Sequence, residues 1–151
     1  MLIKTYPAIF YYTTNPGYKE RYYVWFPDLK GTGTQGDDID DAMYMASDWL
    51  GIVIADFLER EETLPTPSNL KELSLEANNP FKDDDDFSYN PDKSIITLVS
   101  VDITEYIEQD TLVKKTLTIP LWADKAAKKF GLNFSQTLTE AIFQKTMSCE
   151  K

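Results

Sequence analysis

Val113-Lys-Lys-Thr-Leu-Thr-Ile-Pro120 alternates for the length of one short strand, and two helical patterns joined at Phe130-Gly131 follow it. The order strand, helix, helix decides how this last quarter of the chain folds. Successive side chains of a strand point to opposite faces, so Lys114, Thr116 and Thr118 share one face while Val113, Leu117 and Ile119 share the other. A lone strand leaves its backbone groups without partners and is not stable by itself. The segment therefore predicts a homodimer in which the same strand of two copies pairs.

Working outward, Pro120 suits a helix start because its missing N–H is not needed there. From Leu121 to Phe130 the pattern brings Leu121, Trp122, Ala126 and Phe130 together and leaves Lys125, Lys128 and Lys129 elsewhere. Gly131 stops this helix. Asn133 offers an N-cap with Gln136 three residues on, a capping-box arrangement, and Phe134, Leu138, Ala141, Ile142 and Lys145 lie along the second helix. Leu117, Ile119, Trp122, Leu138 and Ile142 are the expected dimer core. A paired two-stranded ribbon fits the major groove of DNA, and a capped helix N-terminus beside it can hold a phosphate.

Charge divides the chain. Residues 111 to 151 carry seven Lys and three acids, a balance of +4, whereas residues 1 to 110 hold eight bases and 22 acids, −14. A basic module of this size points to nucleic acid; an acidic body would repel phosphate and suits a basic protein partner. Histidine is absent, which removes the commonest general base at neutral pH, and with one cysteine, Cys149, structural zinc is not expected. No metal or cofactor is expected. No apolar run approaches the roughly 20 residues that cross a bilayer, and Met1-Leu-Ile-Lys-Thr-Tyr-Pro7 begins as a strand without a signal-peptide core. These features predict a cytoplasmic protein.

The acidic body reads as α+β. Residues 1 to 13 and 21 to 26 are rich in aromatic and β-branched residues and flank Asn15-Pro16-Gly17, which predicts a hairpin; Thr32 to Gln35 adds a third strand. The aromatics Tyr11, Tyr12, Tyr22, Tyr23, Trp25 and Phe26 exceed what one helix could cover, which leaves two readings, ordinary core packing for most of them or an exposed binding face on the sheet's other side. Asp38 caps a helix with Asp40 and Asp41 in its first turn, and Ile39, Ala42, Met43, Ala46, Leu50, Val53, Ile54 and Phe57 keep helical spacing. Capping accounts for this Asp cluster without a metal. Pro65 and Pro67 are expected to end the helix, residues 78 to 93 with Asp83-Asp-Asp-Asp86 to form a mobile surface loop, and Ser94 to Ile103 to form a strand inside the sheet. Residues 1–103 are thus one domain, 104–112 a short acidic hinge, and 113–151 a second domain.

The tail, with its strand ending at Pro120, its helix ending at Gly131 and its restart at Asn133-Phe-Ser-Gln136, resembles the ribbon-helix-helix family of DNA-binding dimers. By that resemblance Lys114, Thr116 and Thr118 face the bases, and Asn133, Phe134 and Ser135 meet a backbone phosphate. Lys115 departs from the pattern, which favours an apolar residue there. The body, through Tyr6-Pro-Ala-Ile9, Tyr22-Tyr-Val-Trp-Phe-Pro-Asp-Leu-Lys-Gly31, Thr34-Gln-Gly36 and Asp41-Ala42, resembles HicB antitoxins. This second resemblance implies a degenerate RNase H-like domain without catalytic residues, a small basic HicA-type toxin that cleaves mRNA as partner, a heterotetramer with it, and operator DNA repressed by the dimer. It does not indicate which residues touch the toxin.

Two other readings stand beside this one. The body could sense a small ligand and make the protein an ordinary ligand-controlled repressor. An RNase H-like body could also hold magnesium and cleave phosphodiesters, but its acids fall in caps and loops rather than at strand positions such a site needs.

Overall fold

The computed structural model describes residues 1–107 and 112–147. Cys149 and residues 108–111 of the expected hinge lie outside them. The aromatic hairpin forms as β1 (Ile3–Thr13) and β2 (Arg21–Trp25), followed by β3 (Thr34–Gly36), α1 (Ile39–Glu59), β4 (Ile95–Asp102), α2 (Leu121–Lys129) and α3 (Phe134–Met147). The four strands make one antiparallel sheet in the order β3-β2-β1-β4.

Register sets the two faces. Pairing of Phe10 with Val24 and of Tyr6 with Val99 puts these side chains on the face that meets Ala42, Ala46, Leu50 and Ile54 of α1. Each large apolar side chain buried there contributes about 1.5–3 kcal/mol. Asp38 caps α1 as its sequence predicts, its carboxylate accepting from the Asp41 N–H at 2.9 Å.

Three expectations are corrected. The helix ends at Glu59, well before Pro65: the Glu61 N–H bonds the Leu58 carbonyl and the Glu62 N–H bonds that of Phe57, with Glu61 at φ 56°. This is a Schellman stop, and local hydrogen bonding rather than proline ends the helix. β4 is an edge strand, with Leu98 half exposed, because the long β1 takes the centre between β2 and β4.

The third correction concerns residues 78–93, which fold back onto the sheet face opposite α1. Tyr11, fully buried, packs edge-on against Phe87 at 5.7 Å and Tyr89 at 4.9 Å, and its hydroxyl donates to the Leu75 carbonyl at 2.8 Å. Backbone bonds from Thr14 to Ser88 and from Asn90 to Tyr12 fasten the segment to β1. Phe81, Phe87 and Tyr89 supply the apolar area that outweighs the acidic composition, while Asp83 to Asp86 stay exposed.

The body also continues past Ile103 into the stretch read as hinge. Ile103–Glu105 form a short 3-10 turn, and Tyr106 and Ile107 pack on the core. At the other end of the chain, Phe143 and Met147 of α3 are buried in the same cluster as the body core. Lys4 donates to the Met147 carbonyl, and the N-terminal amine lies 3.3 Å from Glu140.

Candidate functional site

In the C-terminal module α2 is built from compatible local signals. Pro120 precedes the first helical residue rather than occupying it, and its carbonyl accepts from Ala123 and Asp124. Asp124 in the first turn pairs with Lys128 at 2.8 Å, and Lys128 and Lys129 in the last turn suit the helix dipole. Gly131, at φ 64°, closes the helix by a Schellman motif: its N–H bonds Lys128 and that of Leu132 bonds Ala127. Left-handed backbone here favours glycine.

Asn133 caps α3, its side chain accepting from the Gln136 N–H at 3.0 Å and its carbonyl from Thr137 at 2.8 Å. The reciprocal half of the expected capping box is not made: the Gln136 amide reaches forward to Glu140 at 3.0 Å instead. Phe134 and Ser135 lie in the first turn, where amides precede the intrahelical ladder.

The strand read over Val113 to Pro120 is not formed in the single chain, since a ladder needs a second strand beside it. Lys114, Thr116 and Thr118 are exposed, as are Asn133, Phe134 and Ser135. The expected dimer core is exposed as well: Leu117 at 64%, Trp122 at 74%, Ile142 at 53%, with Ile119 and Leu138 somewhat less. The module thus presents an apolar row that the other described residues leave exposed.

The body offers two surfaces that sequence reasoning left unassigned. One is an open groove of about 740 Å³ beside the β1–β2 turn, where Lys19, Arg21, Asp84 and Asp86 surround Tyr23, Phe81 and Phe87. Nearby, Lys19 bonds Asp37 at 3.1 Å and holds its carboxyl below the usual carboxylate range. The clue to this groove was the aromatic residues within the acidic loop. Tyr11 behind it is pushed well above the ordinary phenol range, chiefly by burial.

The other surface is the outer side of α1. Asp40, Tyr44, Asp48, Ile52 and Asp56 recur every fourth residue, so they form one stripe along the helix. Tyr106 lies over its middle, donating to Asp48 at 2.9 Å, and burial together with that bond pushes its pKa up to about 12. Gly51 makes room for this ring, because a Cβ there would lie 2.6 Å from Tyr106. Among the described residues, no group of three or more His, Cys, Asp or Glu side chains could hold a metal ion. Nor is any described helix long and apolar enough to cross a membrane.

A family model described as the HicB-like antitoxin of bacterial toxin–antitoxin systems matches residues 5–77. A toxin–antitoxin complex from Streptococcus pneumoniae contains a chain 52% identical to this one, with a TM-score of 0.66 over 95% of this chain and 99% of that one. The chain belongs to the HicB-like antitoxin family. The crystal structure of the antitoxin HicB from Burkholderia pseudomallei is similar in fold, with 20% identity and a TM-score of 0.56 over 94% of this chain and 98% of that one. The four-stranded antiparallel sheet and three helices are thus a HicB-like arrangement. Among curated protein sequences none matches.

Proposed function

We propose that this HicB-like chain is a cytoplasmic antitoxin without catalysis of its own, whose RNase H-like body inhibits a HicA-type mRNA-cleaving toxin. Two C-terminal modules pair as a ribbon-helix-helix dimer, which binds operator DNA and represses the toxin–antitoxin operon. The assembly with toxin is a heterotetramer.

The observation that carries the DNA-binding half is the exposed row of Leu117, Ile119, Trp122, Leu138 and Ile142. A patch of this kind on a soluble chain marks an interaction surface, and pairing two copies of Val113 to Ile119 would satisfy backbone groups and cover apolar side chains together. Lys114, Thr116 and Thr118 would then project from the ribbon's other face, with the first turn of α3 beside it for phosphate. The toxin half draws on the similarity to a chain from a toxin–antitoxin complex and on the charge of −14 over residues 1 to 110.

The test uses the full chain carrying Leu117→Asp with Ile142→Asp, coexpressed with the neighbouring toxin gene. The expected outcome is a monomer in sedimentation that has lost operator binding yet still protects growth. Retention of operator binding by a monomer would exclude the ribbon.

A further inference from the structure

The toxin-binding reading leaves open which part of the body does the binding, and α1 is distinctive in three respects. Its 21 residues contain five acids and no base. On its outer stripe Tyr44 is 69% exposed and Ile52 56%, about 12 Å apart along the axis, with Asp40 and Asp56 outside them. At its C-terminal end Arg60, the C-cap, pairs with Asp56 at 2.9 Å, while Glu59 sits where the dipole favours a cation and Glu61 occupies a left-handed position that suits glycine or asparagine.

The dipole accounts for Asp40 and the pair with Arg60 for Asp56, but neither accounts for the exposed Tyr44 and Ile52 between them. An aromatic and an aliphatic anchor framed by acids suit a protein face with apolar recesses framed by Lys or Arg. The groove beside Phe81 is less suited, because Lys19 and Arg21 stand among its acids. The C-terminal module is excluded by its own positive charge.

We propose that the outer face of α1, from Asp40 through Tyr44, Ile52 and Asp56 to Glu59, is the surface on which the cationic face of the toxin docks. This rests on the antitoxin reading above and adds the location. Tyr44 and Ile52 supply the desolvated centre, and the acids supply orientation and a salt-sensitive association rate.

Calorimetric titration of the full chain with the toxin of the neighbouring gene tests the location. Ile52→Lys is expected to weaken binding by about 100-fold or more and Tyr44→Ala by about tenfold or more, with thermal midpoints unchanged because both side chains face solvent. Asp84→Lys with Asp86→Lys, in the groove, should stay within about threefold of the parent. Zero-length carbodiimide cross-linking of the unmodified complex supplies a readout independent of the variants' folding. Links from Asp40, Asp56 or Glu59 to toxin lysines are expected. If the parent binds toxin but the α1 variants bind equally well, or links form only from Asp83 to Asp86, the location is wrong and the antitoxin reading survives. If the parent does not bind toxin, both fall.

Discussion

The body and the C-terminal module treat apolar residues in opposite ways. Ile9, Phe10, Tyr11 and Phe26 of the body are wholly buried, whereas Leu117, Trp122 and Phe130 of the module are mostly exposed. Both are folded by the same rules of capping and periodicity, so the contrast lies in where the covering surface comes from. The body finds it within one chain, with α1 on one sheet face and the 78–93 loop on the other. The module rests Phe143 and Met147 of α3 on the body core and leaves the rest of its apolar row for another surface to cover.

The largest expected effect breaks the body's side of this contrast. Phe10→Ala should lower unfolding free energy by about 3–5 kcal/mol in urea titration, since the cavity lies under α1 and cannot collapse freely. Trp122→Ala should behave oppositely: the isolated chain keeps its stability within about 0.5 kcal/mol, while dimerisation measured by sedimentation is weakened severely. A comparable loss of monomer stability would show that Trp122 is covered by its own chain after all.

Smaller effects sharpen the comparison at two helix ends that share one geometry. α1 and α2 both close with a Schellman motif, but Glu61 holds the left-handed position in the first and Gly131 in the second. Glu61→Gly should raise stability by about 0.5–1 kcal/mol, and Gly131→Ala should lower stability or local helix content by about as much, measured by thermal circular dichroism. Lys114→Ala should leave folding untouched and reduce the salt slope of operator binding by about one. An unchanged slope would remove Lys114 from the DNA contacts.

A final expected effect is seen only in alkali. Tyr11 and Tyr106 have raised folded-state pKa values, so above about pH 10 the unfolded state releases phenolic protons that the folded state retains. Stability is therefore fully present below pH 10 and falls as pH rises from there toward the folded values. Tyr106→Phe should flatten that fall in denaturation midpoints followed between pH 9 and 11, although it also removes the bond to Asp48. An equally steep fall would mean that Tyr106 ionises normally in the folded chain.

Local signals in the sequence located β1, β2, α1 and the two tail helices well, because each is marked by alternation, a cap or a glycine stop. Non-local effects were harder to read. The loop bearing Asp83 to Asp86 reads as polar, and only the position of Tyr11 across the sheet reveals what Phe87 and Tyr89 cover. Similarly, β4 is apolar on both faces yet takes an edge, a matter of strand order rather than composition. At the candidate sites, the cap at Asn133 was legible but the forward reach of Gln136 to Glu140 depended on side-chain placement. The stripe on α1 was present in the spacing but was outweighed by the helix's buried face.

The uncovered row on the C-terminal module also has a consequence for dosage. Under the proposed pairing, the amount of DNA-binding species varies with the square of free chain concentration when monomer predominates, so halving the chain leaves about a quarter of the dimer. Repression would then relax faster than the antitoxin itself declines, making the tail a gauge of how much protein is present as well as a reader of DNA.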